Sequence, residues 1–101
     1  MFSSQRSPED PEGYGRMAAA LADLAPGQPG FLGMESVRGE DGFGITLAFW
    51  ESESAIAAWK RLAAHQHAQR LGHERWYDEF FLRIARVERA YTKATSTREG
   101  L

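Results

Sequence analysis

Cysteine is missing from this chain of 101 residues, which excludes disulfides and thiolate metal sites. Long apolar runs are missing too. No stretch approaches the roughly 20 residues that cross a bilayer as a helix, so no membrane partner is expected. Nor is there a large excess of one charge. Twelve Lys and Arg stand against 14 Asp and Glu, a formal net charge of −2, without the strongly basic face that nucleic acid requires. Met1 to Asp10 holds no basic segment followed by an apolar one. No secretory signal is expected, and the cytoplasm is the expected location. No metal-ligand cluster, phosphate loop or nucleophile triad stands out.

What the chain does have is apolar and aromatic content, 43% and 12%, enough for the core of one domain. We place that domain at residues 1–92 and a polar, frayed tail at 93–101. Met1 to Ser4 reads as the end of a first strand. Ser7 to Glu12, with two prolines and three acids, leads into a helix start. Tyr14, Met17, Ala18, Leu21 and Leu24 recur at helical spacing up to Ala25, and Pro26-Gly27 stops the helix. Phe31 to Arg38 and Phe43 to Trp50 are strands joined by Gly39-Glu40-Asp41-Gly42. Ser52 or Ser54 caps a second helix from Glu53 to Leu71, which Gly72 ends. His73 to Asp78 adds a short helical turn, and Phe80 to Tyr91 is the last strand.

This order is the split β-α-β-β-α-β pattern of a ferredoxin-like α+β fold, a four-stranded antiparallel sheet with its helices on one face. The strand Phe43 to Trp50 carries Phe43, Ile45, Leu47 and Phe49 on one side. Its other side carries Gly44, Thr46, Ala48 and Trp50, and the small residues there leave room for something to approach. An apolar sheet face without helices marks an interface, and a two-fold homodimer covers it.

The aromatic and polar candidates each have two readings. Trp50, Trp59, Trp76 and Tyr77 stack on a flat ligand or pack in the core. His65 is a general base, or a half-buried histidine bonded to a carbonyl or to a dimer partner. His65 and Gln69 are four apart on one helix face, whereas Trp59 lies about 120° around the helix from His65. His65 and His67, two apart, lack metal spacing. Arg83, Arg86 and Arg89 form cross-strand ion pairs with Glu35 and Glu88, or one of them binds an acidic substrate group. Ser3, Ser4 and Gln5 donate to a ligand oxygen or are ordinary edge residues.

An ordered set of short pieces carries a resemblance: Gln28-Pro29-Gly30-Phe31-Leu32-Gly33, Glu35-Ser36, Gly44-Ile45-Thr46, Phe49-Trp50, Ala58-Trp59-Lys60, His65, Ala68-Gln69, Gly72 and Trp76-Tyr77. From Phe2 to Tyr91 the chain resembles the antibiotic biosynthesis monooxygenase domains, which are dimeric α+β barrels. The resemblance implies a cofactor-independent monooxygenase acting on a planar aromatic small molecule, without metal or flavin. In that reading His65 is the base, Trp59 and Trp50 are pocket walls, Gln5 and Gln69 are donors, and Trp76 adds to the substrate site. The family's first strand usually runs several apolar residues before the Phe-Ser-Ser-Gln-Arg segment. Its haem-degrading members use an Asn on the first strand, a Trp on the second helix and a His ten residues later. Here Trp59 matches, but position 69 is Gln and the first strand offers Gln5. The alternative is a non-catalytic dimer that binds haem or another hydrophobic ligand.

Overall fold

The computed structural model describes residues 1–69 and 76–96. Its elements are β1 (Phe2–Arg6), α1 (Pro11–Leu24), a 3-10 turn (Ala25–Gly27), β2 (Phe31–Arg38), β3 (Phe43–Trp50), α2 (Glu53–Gln69), β4 (Tyr77–Leu82) and the single turn α3 (Lys93–Ser96). The four strands form one sheet in the order β2-β3-β1-β4, every neighbouring pair antiparallel. This is the expected α+β ferredoxin-like arrangement. The helical turn expected over His73 to Asp78 falls largely outside the described residues, and Tyr77 and Asp78 belong to β4.

Local sequence explains where α1 starts. Asp10 precedes Pro11 and caps the helix by accepting from the Gly13 amide at 3.2 Å. Asp10 has φ of 47°, a left-handed conformation that Asp tolerates better than most residues. A Cβ on residue 13 would lie 2.0 Å from Asp10 Oδ2, so the folded-back carboxylate requires the glycine. Tyr14, Met17 and Leu21 then recur on one helical face and pack on Phe2, Trp76 and Tyr77. Met17 is 1% exposed, a burial that stabilises by roughly 1.5–3 kcal/mol. The core therefore lies between α1 and the β1–β4 half of the sheet.

Register fixes the two faces. Ser4 sits opposite Gly44 and Phe80, Phe2 opposite Thr46 and Leu82, and Arg38 opposite Gly44. Directly opposed residues share a face, so Phe2, Ser4, Arg38, Gly44, Thr46 and Phe80 all point to the helix side. Ser3, Gln5, Val37, Phe43, Ile45, Leu47 and Phe81 point the other way. On that uncovered side Val37 is 70% exposed and Phe81 59%.

β4 departs from expectation. It covers Tyr77–Leu82 rather than Phe80 to Tyr91, because a strand extends only as far as its neighbour. Its ladder with β1 closes at Phe2 opposite Leu82 and at the paired backbone bonds between Met1 and Arg83, 2.7 and 2.8 Å. Residues 83–91 follow without regular structure and are exposed. The ion pairs expected of Arg83, Arg86 and Arg89 do not form among the described residues. Arg83 instead lies 4.7 Å from the centre of the Phe81 ring and donates to Ser3 Oγ at 3.3 Å.

Candidate functional site

The helix side of β3 forms a floor. Gly44, Thr46, Ala48 and Trp50 line it in that order, spaced about 7 Å apart because every second strand residue shares a face. Ser36 on β2 flanks it, its hydroxyl 2.8 Å from that of Thr46. α2 covers this floor loosely. Its half-buried residues are Ala55, Ile56, Trp59, Leu62, Ala63 and Gln66, and none of its described side chains is fully buried. Ser36 is exposed, and Thr46 and Ala48 are half-buried. Gly44 is buried, but the floor at Thr46 and Ala48 is partly open to solvent, unlike the filled space under α1.

Aromatic groups close one end. Trp50 and Trp59 face each other with ring centroids 5.5 Å apart and planes tilted by 30°, and Phe31 meets Trp50 edge-on at 5.3 Å. Ser52 anchors the start of α2, accepting from the Ala55 amide at 3.2 Å, so the expected cap forms. Gly30 lets β2 approach that helix start. Its φ is 82°, and a Cβ there would lie 2.8 Å from that of Ala55. Beside this junction is an open depression of about 300 Å³, bordered by Pro29, Gly30, Ser52, Ala58 and Trp59. That volume is at the small end for a ligand pocket.

A polar cluster closes the other end. Arg38 extends over Gly44, where a Cβ would lie 2.7 Å from its Cζ. Its Nη2 donates to Ser4 Oγ at 2.9 Å and to the Tyr14 hydroxyl at 3.1 Å. Its Nη1 donates to the carbonyls of Ser4, at 3.3 Å, and of Gly42. Ser4 is 2% exposed, so this bond satisfies a polar group taken out of water. Tyr14 is hydrogen-bonded to Tyr77, and burial first, then Tyr14, pushes the Tyr77 phenol well above its ordinary range.

The six candidate side chains read from the sequence do not gather at one point. Trp50 and Trp59 meet as described. Gln5 is on the uncovered sheet face, one residue out of phase with Ser4, and donates to the Asp41 carbonyl at 2.7 Å. Trp76 is fully buried in the core, its indole N–H donating to Asp10 Oδ2 at 3.1 Å. His65 is exposed and off the inward face of α2. Gln69 ends α2, and its side chain lies outside the described residues. Sequence reasoning missed Arg38 and Tyr14. Gly44, opposite Arg38 across the hairpin, was the available signal.

Among the described residues no three His, Cys, Asp or Glu side chains converge. A haem held by an inward-facing histidine does not fit His65. No described helix is long and apolar enough to cross a membrane.

Three comparisons bear on this geometry. Residues 2–71 match the antibiotic biosynthesis monooxygenase family. The chain is 46% identical over 89 residues to "Uncharacterized protein YqjZ" of Bacillus subtilis (strain 168), covering 88% of this chain and 77% of that one. It is 25% identical over 91 residues to "Jasmonate monooxygenase ABM" of Pyricularia oryzae, covering 86% of this chain but only 41% of the relative.

Proposed function

The chain belongs to the antibiotic biosynthesis monooxygenase family, and on that premise we propose that it is a homodimeric, cofactor-independent monooxygenase acting on a planar aromatic small molecule. The observation that carries this reading is the pairing of Trp50 with Trp59 beside the small, half-buried residues Thr46 and Ala48 of β3. Aromatic walls prefer offset stacking on a flat guest, and small floor residues allow it to lie close to the strand. The distant relative named as a jasmonate monooxygenase supports oxygenation of a small molecule on this scaffold.

The reaction draws its electrons from the substrate. An electron-rich phenol or enol gives up a proton, and its anion reduces oxygen. One oxygen atom replaces two hydrogens on the reacting carbon, and the other leaves as water. The protein must accept the proton, exclude bulk water and stabilise the anion. Arg38 and the Tyr14 hydroxyl stand where they can stabilise negative charge. His65 is the base we assign, on the chemistry of its imidazole. It is exposed on α2. The second copy covers the apolar face that holds Val37, Phe43 and Phe81.

Oxygen uptake with an anthrone in the presence of a chelator tests the proposal. Uptake with formation of the quinone is expected. His65→Ala should lower the rate at least about tenfold, the low side of what acid–base catalysis contributes, and added imidazole should restore it because the site is open. Binding without uptake would leave a ligand-binding dimer in place of the enzyme.

A further inference from the structure

Three polar side chains border the floor without using up their hydrogen-bonding capacity. Ser36 and Thr46 lie opposite each other on β2 and β3, on the helix side, with their hydroxyls 2.8 Å apart. Neither side chain has another partner among the described residues. Their mutual bond takes one hydroxyl hydrogen and leaves the second, with lone pairs to spare. The third is Gln66. It follows Trp59 by seven residues, so it stands about 20° from Trp59 around the helix and about 10 Å further along it. Both are half-buried. The Gln66 side chain makes no hydrogen bond among the described residues, although an amide drawn away from water ordinarily finds one.

The course of α2 sets where Gln66 falls. The helix starts at the Trp50 end of the floor, where Ala55 stands against Gly30 and Phe31 is opposite Trp50. It packs against both α1 and β3, so its turns after Trp59 run back over the sheet. About 10 Å of helix brings Gln66 above the stretch between Ala48 and Thr46, which lie about 7 and 14 Å from Trp50 along the strand. The hydroxyl pair and the amide thus approach one region from below and above, and the tryptophans close its other end. Of that distance, about 3.5 Å of ring contact and about 3 Å of hydrogen bond leave about 7 Å. Two fused rings carrying a hydroxyl fill it.

We propose that the Ser36–Thr46 hydroxyl pair and the Gln66 amide bind the phenol or enol oxygen of the guest, and so select and orient an oxygen-bearing aromatic on the floor. This assignment rests on the reading of the floor given above and adds the residues that hold the reacting oxygen. The free hydroxyl hydrogen and the amide N–H donate to that oxygen, and the amide carbonyl accepts from it while it is protonated. Once the proton has left, the donors remain and their bonds to the anion are about twice as strong. An oxygen held at the Thr46 end also keeps the ring system at a fixed distance from the tryptophans, which sets which carbon reacts.

The test is equilibrium dialysis at pH 7 with 2-naphthol and with 2-methylnaphthalene, in which a methyl group replaces the hydroxyl. Ser36→Ala, Thr46→Val and Gln66→Met should each weaken 2-naphthol at least about threefold, and Thr46→Val with Gln66→Met at least about tenfold. The affinity for 2-methylnaphthalene should stay within about twofold, because only hydrogen bonds are removed. No binding of 2-naphthol to the wild type, or affinities for the two probes that fall together or not at all in the variants, would overturn the assignment. Ser36 is exposed on an edge strand, so Ser36→Ala decides even if the other variants do not fold. Oxygen uptake from an anthrone reports separately. Uptake with unchanged probe selectivity removes this anchor and leaves the oxygenase, and altered selectivity with no uptake does the reverse.

Discussion

Arg38 occupies the space that a side chain on residue 44 would need: a Cβ there would fall 2.7 Å from its Cζ and 2.9 Å from Nη2. Two neighbours across a hairpin thus define one end of the floor, and the absence of one side chain fixes the path of the other. Gly44→Val should expel the guanidinium and leave buried Ser4 without its partner. A loss of about 1–3 kcal/mol is expected, the range for stranding a buried polar group. Urea unfolding of the variant measures it. An unchanged midpoint would mean that Arg38 is not held there.

Asp10 serves two elements at once, capping α1 through Oδ1 and binding the Trp76 indole through Oδ2. Asp10→Ala loses both bonds, and a cost of about 2–3 kcal/mol is expected from the cap and the stranded indole donor together. Trp76→Phe loses only the second, so its cost should be smaller once ring size is allowed for. If Asp10→Ala unfolds at the wild-type urea concentration, the double role is refuted.

The Tyr77 phenol sits above its ordinary value of 10.0, chiefly through burial. Above that pH the unfolded chain loses its phenolic proton while the native protein keeps it. The unfolded state then binds fewer protons, and stability falls as pH rises. The contribution is fully present below pH 10 and lost progressively above it. Tyr77→Phe should flatten this part of the alkaline decline while keeping the ring contact with Phe2. Comparing the denaturation midpoints of both proteins at pH 8 and pH 11 checks this. Parallel declines would count against it.

Much of this fold is legible in the sequence. The alternation Phe43, Ile45, Leu47, Phe49 against Gly44, Thr46, Ala48, Trp50 gives β3 and both its faces. The spacing of Tyr14, Met17 and Leu21 gives α1, and Pro26-Gly27 its end. What could not be read depends on partners distant in the chain. β4 stops at Leu82 because its ladder with β1 closes there, although Ile84, Val87 and Tyr91 look equally strand-like. Gln5 misses the floor by one step of the pleat, and a strand of one phenylalanine and four polar residues does not reveal that phase. Trp76 and Trp59 are both aromatic residues near a helix, yet one finds Asp10 and the core while the other meets Trp50. Arg38 acquires its place only when β1, β3 and α1 are brought beside it.

The uncovered sheet face combines exposed Val37, Phe43 and Phe81, at 70%, 46% and 59%, with half-buried Ile45 and Leu47. If a second copy covers it, Val37→Glu places a charge in the middle of an apolar interface and should weaken association by at least about tenfold. Sedimentation at several concentrations measures this. A wild-type protein that sediments as one protomer at micromolar concentration would remove the dimer from the account.

The position of a bound guest tests the central claim most directly. A crystal structure of the protein soaked with an anthrone should show it on the helix side of β3, over Thr46 and Ala48, with its rings toward Trp50 and Trp59. Density on the opposite face, against Phe43 and Leu47, or a floor closed over by α2 with no guest, would contradict it.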